Sequence, residues 1–258
     1  MTERPARVAT HVDTPRADAV RVEAFRWRLA PERLFESRFA VLATDRLRQS
    51  VVHGLHLSHD PEDFLLGGHE PGKTTASRWG LHAHAHWLWT EAEDTVQDLA
   101  LWVPAGLAPP QVQRVAALTA LPRYEEEPVG YRGGDLLLQS VGPAAQVLTD
   151  LGAGVAATAW VSATPILTSW HFKEGMARIE HLGRYVGKEL GHRLGPDAPA
   201  VVGLEVAEDR SYFTRRWDRA FPFHSAFRVL GLELSRPVSG PLCLGALGHF
   251  GFGRMEPR

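Results

Sequence analysis

A single cysteine, Cys243, stands in 258 residues. Without a second thiol the chain forms no internal disulfide and no thiolate zinc cage, and it reads as a protein of a reducing compartment, the cytoplasm. Lysine is nearly as scarce: of 28 basic residues, all but Lys73, Lys173 and Lys188 are arginine. Long apolar runs are missing too, with none near the roughly 20 residues that span a bilayer. The first 18 residues, MTERPARVATHVDTPRAD, lack an apolar h-region and read as a flexible lead-in rather than a secretory signal. An excess of positive charge is also absent. The formal net charge is −2, whereas proteins that hold nucleic acid are usually basic.

The charge is unevenly spread, however. Between Asp209 and Arg228, the arginines Arg210, Arg215, Arg216, Arg219 and Arg228 meet Asp209 and Asp218 alone. Guanidinium forks suit phosphate, although a GC-rich genome accounts for much of the general arginine bias. The remaining composition, 44% hydrophobic and 22% charged, is that of a globular protein able to bury a core. The length suits two domains of about 100–130 residues each.

The periodicity predicts a strand over 20–29, where Val20, Val22, Ala24 and Trp27 alternate with charged neighbours. A helix is expected from about Leu34 to Val52, followed by a Gly- and Pro-rich connection. Strands over 81–90 and 95–106, a helix over 110–121 and a strand over 135–141 complete the first half. That order, βαββαβ, is the ferredoxin-like (RRM-like) unit. The second half repeats it less clearly. Strands are expected over 154–163, 198–207 and 227–234, and a helix over 173–190 with Met176, Ile179, Leu182, Val186 and Leu190 on one face. The reading is an α+β protein with two tandem ferredoxin-like domains, over 19–150 and 151–258, ending in a glycine-rich loop.

Thirteen histidines form the most informative cluster. His82, His84 and His86 sit at i, i+2 and i+4, so a strand would point all three to one face. A lone histidine there would be an ordinary strand residue, but three aligned imidazoles pack poorly as mere filler. Two chemistries remain open from the triplet itself. One is a three-histidine metal site with an open position. The other is metal-free acid–base catalysis, in which one imidazole takes a proton from a ribose 2′-OH and another protonates the leaving 5′ oxygen.

Gly240, Gly245, Gly248, Gly251 and Gly253 punctuate the tail PLCLGALGHFGFGRM. Glycine permits close backbone approach and presents N–H groups to phosphates, or equally closes a sheet through a tight turn. No GxxxxGK[ST] motif is present and no dinucleotide fingerprint opens a βαβ unit, so neither nucleotide hydrolysis nor dinucleotide binding is supported.

Four segments in order resemble one family. The tail GPLCLGALGHFGFG resembles the C-terminal glycine-rich loop of the repeat-associated (RAMP) CRISPR proteins. The strand His82-Ala83-His84-Ala85-His86, the segment Leu101-Trp102-Val103-Pro104-Ala105-Gly106-Leu107 and the segment Trp160-Val161-Ser162-Ala163-Thr164-Pro165 resemble the processing-endonuclease half of the GSU-type protein of subtype I-G, formerly I-U. After Pro165 the sequence departs from that pattern, leaving His171 and Lys173 as possible counterparts of a basic cluster. The length leaves no room for the fused N-terminal module of the related proteins, so the chain reads as a stand-alone processing subunit.

The resemblance implies a metal-independent endoribonuclease, without a cofactor, acting on the repeat hairpin of precursor CRISPR RNA. His84 and His86, with His82 next, are then the catalytic residues. Arg210, Arg215, Arg216 and Lys173 hold phosphates, and Gly245, Gly248, His249, Gly251, Gly253 and Arg254 cradle the RNA backbone. Other subunits of a CRISPR effector are possible partners; a membrane is not. Two alternatives stand beside this one: a non-catalytic RAMP-type RNA-binding subunit, and a metalloenzyme with His82, His84 and His86 as ligands.

Overall fold

The computed structural model describes residues 21–30, 35–54, 85–121, 134–168, 177–209, 212 and 225–258. The first half folds as strand β1 (Ala24–Leu29), helix α1 (Ala40–Gly54), strands β2 (His86–Ala92) and β3 (Thr95–Trp102), helix α2 (Pro109–Ala116), a short β4 (Ala120–Leu121) and β5 (Gly134–Gly142). The antiparallel sheet runs β2-β3-β1-β5-β4. With β4 an added edge, this is the strand order of a βαββαβ unit, as the sequence predicts. A 3₁₀ turn at Ser37–Phe39 leads into α1 where one continuous helix was expected. In α2, Pro109 and Pro110 supply fixed φ at the first turn, and Gln111 accepts the Ala108 N–H at 3.0 Å.

Alternation along β1 sorts the two faces of this sheet. Phe25, Trp27 and Leu29 point into a core shared with Leu47 and Val51 of α1 and with Trp87, Trp89, Leu99 and Leu101. The opposite face carries Ala24, Leu88 and Ala100, which pack under Ala144, Val147, Leu148 and Leu151. Those covering residues belong to a short helix α3 (Ala144–Val147) and a 3₁₀ turn at Thr149–Leu151, neither of which the sequence pattern had suggested. They span the expected domain boundary.

The second half contains β6 (Ala156–Ser162), β7 (Ile166–Thr168), α4 (Arg178–Leu194), β8 (Val201–Glu208), β9 (Ser225–Ser239), β10 (Leu242–Cys243) and β11 (Arg254–Pro257). Strands β8, β9, β6 and β11 lie side by side in that order, and β7 extends the β6 side of β9. This is again the βαββαβ strand order with one substitution. Between β9 and β11, where the second helix would fall, the chain forms β10, a glycine-rich loop and a 3₁₀ turn at Gly248–Phe250. Leu182, Tyr185, Val186 and Leu190 of α4 bury against Trp160, Phe227 and Leu232. Ile179, expected on that face, is 46% exposed at the start of the helix. The expected start of this helix at Lys173 lies outside the described residues. No described helix is long and apolar enough to cross a membrane.

One buried carboxylate organises the second face of the first sheet. Asp98 on β3 accepts from Arg26 Nε at 2.9 Å, from Arg26 Nη2 at 2.6 Å and from Thr90 Oγ1 at 3.3 Å, and it pairs with Arg28 Nε. Arg26 Nη1 also donates to Asp150 at 2.7 Å, tying the sheet to the 3₁₀ turn between the halves. Removing the carboxylate leaves the half-exposed Arg28 to water and Arg26 with Asp150 alone, so the cost is that of lost charged hydrogen bonds, about 2 kcal/mol, rather than of breaking a fully buried pair. Asp98→Ala is therefore expected to lower the unfolding free energy by that amount, read as a lower urea midpoint, while Arg236→Ala, at an exposed position of β9, leaves it unchanged.

Candidate functional site at the glycine-rich loop

Among the described residues strand β2 is the outermost strand of the first sheet, and the 3₁₀ turn Gly248–Phe250 of the second half packs against it. The approach is close enough that side chains are excluded. A Cβ on Gly251, at φ +82°, would lie 2.6 Å from the Trp89 indole of β2, and within the loop itself one on Gly253, at φ +58°, would lie 1.9 Å from the Leu244 carbonyl oxygen. Both the left-handed backbone and the lack of space demand glycine there.

The loop's amides are largely engaged within the protein. Gly245 N–H donates to Glu189 Oε2 at 3.0 Å, Ala246 N–H to Leu167 O at 2.9 Å and Gly253 N–H to Pro165 O at 2.9 Å. Gly248, Phe250 and Gly251 N–H groups close turns onto Gly245, Leu247 and Gly248 carbonyls. Gly245, Gly248, Gly251 and Gly253 are themselves at least partly buried. The segment Trp160–Pro165 is the clasp that holds this loop. Trp160 is buried, Ser162 Oγ accepts Val229 N–H at 2.7 Å, and Thr164 Oγ1 donates to Gly251 O at 2.8 Å while accepting Arg254 N–H at 2.9 Å.

The turn directs its two sides differently. Phe250 and Phe252 enter the first core, where Tyr212 lies 5.8 Å from the Trp89 ring and 6.0 Å from Phe252. Burial, reinforced by Glu91, pushes the Tyr212 phenol up to about 12. His249 turns the other way, its ring 4.4 Å from that of His86 and tilted by 46°. His86 in turn lies 4.8 Å from Trp102, its cross-strand partner in register on β3. His86 is 2% exposed, whereas His249 is half-buried. Two imidazoles, one from each half of the chain, thus meet beside an indole.

Of the residues expected at the site, the structure brings together His86, His249, Gly245, Gly248, Gly251, Gly253 and Arg254. His82, His84, Lys173, Arg210, Arg215 and Arg216 lie outside the described residues. Arg254 is buried, with Nη1 donating to Glu256 Oε1 at 3.0 Å. Arg228, counted in the basic run, pairs with Asp209 at 3.0 Å and donates to the Ala163 carbonyl. Sequence reasoning missed Trp102 as the platform beside His86, although it stands in a segment already singled out. It also missed Arg193, whose proximity to Gly248 no local pattern encodes. Burial pushes the Cys243 thiol up to about 11, against the pull of Arg193 and Arg254.

No family model matches the chain, and no curated protein matches it. Among solved structures, a Cas6 product complex overlays at a TM-score of 0.48 with 16% identity, covering 93% of this chain and 100% of that one. A structure described as Cas6b overlays at 0.47 with 11% identity, covering 92% and 100%. A RAMP protein binding different RNA substrates overlays at 0.40 with 10% identity, covering 92% and 99%.

The seating of the loop can be read through its neighbour thiol. Cys243 is expected to resist iodoacetamide in the native protein at pH 8, because buried, protonated thiols are inert. Gly253→Ala is expected to cost at least about 2 kcal/mol in thermal unfolding, and to make Cys243 react many times faster. A slow, unchanged alkylation rate in that variant would show that the loop does not depend on this glycine.

Proposed function

We propose that this chain is a metal-independent endoribonuclease that binds the repeat of precursor CRISPR RNA and cleaves it by 2′-OH attack. The observation that carries this reading is the pairing of His86 with His249 beside the glycine-rich loop. It places titratable imidazoles where two halves of the chain converge, in a protein whose motifs resemble the processing endoribonucleases.

The chemistry needs a base and an acid with pKa values near neutrality, which imidazole has without adjustment. The base removes the 2′-OH proton, O2′ bonds to phosphorus, and the P–O5′ bond breaks as the acid protonates O5′. A 2′,3′-cyclic phosphate and a 5′-hydroxyl result. Half-buried His249 can reach such a phosphate. His86, closed in by Trp102 and His249, holds that imidazole in place, and His84 and His82 supply the remaining proton transfers. Arg210, Arg215, Arg216 and Lys173 engage phosphates, since the Arg254 guanidinium is taken up by Glu256. Charge on the pentacoordinate phosphorus is stabilised by these donors. The loop glycines serve by letting the backbone lie against β2, giving the RNA a fixed surface.

The burial of His86 also favours a second reading, a RAMP-type subunit that holds RNA without cutting it, with the imidazole pair as interior packing. Cleavage of a labelled CRISPR-repeat RNA in EDTA separates the two. Wild type is expected to cut at one position, with His84→Ala and His249→Ala slower by about 10²–10⁴-fold and still binding RNA, and His86→Ala impaired as well. RNA bound but never cut identifies the binding subunit, and cutting that EDTA abolishes identifies a metalloenzyme.

A further inference from the structure

Arg193 lies in the last turn of α4, where the helix carbonyls favour a cation. Its side chain is nevertheless 8% exposed and poorly compensated. Among the described residues the carboxylate paired with it is Glu189 one turn earlier, 4.0 Å away, and its Oε2 already accepts the Gly245 N–H. Arg193 Nε is buried and donates to no acceptor among the described residues. Burial dominates its electrostatics and lowers its pKa, with Glu189, Cys243 and Tyr185 opposing only in part. A guanidinium stays protonated regardless, so the charge persists there.

The place of this charge gives it meaning. A Cβ on Gly248 would lie 2.6 Å from Arg193 Nη2, so the guanidinium abuts the residue that precedes His249. A second cation is close by. Arg254 stands opposite Cys243 across β10 and β11, and although Glu256 engages its Nη1, its Nε is buried without an acceptor among the described residues; both arginines act on the Cys243 thiol. Of the two, Arg193 is the poorly compensated one, and a buried cation with an unused N–H donor is costly unless an anion engages it. The planar fork of arginine matches two oxygens of a phosphate.

We propose that Arg193 is an anion-binding residue that receives a phosphodiester group of RNA seated at the glycine-rich loop, with Gly248 leaving the space for its guanidinium. The group so held lies next to the half-buried imidazole of His249. Arg193 therefore sets which linkage stands before that imidazole. The identity of the ligand as RNA rests on the function proposed above; the anion site itself does not.

The test uses the full chain in two arms, thermal unfolding with and without inorganic phosphate, and binding of a labelled repeat RNA across a salt series. Wild type is expected to gain melting temperature with phosphate, and Arg193→Met to gain none. Without phosphate, Arg193→Met should melt at or above wild type, because replacing a poorly paired buried charge by an apolar side chain is often neutral or stabilising. Its RNA affinity should fall about tenfold, and the log–log salt slope should flatten by about 0.7, one phosphate contact on a single strand. Arg184→Met, an exposed change nearer the start of α4, should alter neither arm. Equal phosphate stabilisation in Arg193→Met and wild type overturns the proposal, as does an unchanged RNA affinity and slope. Should Arg193→Met fail to fold, Arg193→Lys keeps the charge without the fork: phosphate and RNA binding as in wild type would overturn the proposal, and weakened binding of both would support it. A phosphate response that depends on Arg193 in a protein that binds no RNA assigns the site to free phosphate and overturns the RNA reading alone.

Discussion

The outer edge of β2 has to be covered, and the way it is covered shapes the rest of the molecule. An open strand edge offers unpaired backbone groups and a template for unwanted pairing. Here the second half brings the turn Gly248–Phe250 against it, so closely that a Cβ at Gly251 would collide with Trp89. That closeness requires left-handed glycines and a set of internal amide bonds. It also determines that Phe250 and Phe252 complete the first core and that His249 comes to rest on His86. Site and core are therefore two sides of one turn.

The second half departs from the first at the place where this happens. A helix between β9 and β11 would present bulky side chains on every face, and could not lie against β2 at backbone distance. The loop in its place is held by the Trp160–Pro165 segment, through Thr164 Oγ1 and the Pro165 carbonyl, rather than by helical hydrogen bonds. The motif that made Trp160–Pro165 conspicuous in the sequence thus has a structural role, positioning a neighbour instead of reacting itself.

Much of the first half was legible because its elements are long and regular. Helical spacing after Leu34 marks a buried face, where the structure places Leu47 and Val51, whereas the alternation in 20–29 grouped Ala24 with Trp27, which the structure sends to opposite faces of the sheet, with Phe25 and Leu29 beside Trp27. Short elements escaped. The strands Ile166–Thr168 and Leu242–Cys243 are too brief for any period to emerge, and α3 is only four residues long. Ile179 fitted the helical spacing but falls in the first turn, ahead of the part of α4 that packs. At the site, His86 and His249 were each noticed for local reasons, but their meeting depends on folding that joins opposite halves of the chain. Arg193 showed no signal at all, since a cation near a helix end is commonplace and only the turn beside it makes it unusual.

The packing between the halves has a consequence for how the protein comes apart. Ala24, Leu88 and Ala100 of the first sheet share one apolar cluster with Ala144, Leu151, Ala153 and Cys243, while Leu167, Ala226, Leu247 and Phe252 of the second half sit in the core of the first. Arg26 bridges to Asp150 across the same junction. The first half has no complete interior of its own, whereas the second also keeps a cluster made only of its own residues, around Trp160, Tyr185 and Phe227. Although the strand order is that of a tandem repeat, the dependence is therefore one-sided: a fragment ending near Gly152 should regain its structure only when the rest of the chain is supplied.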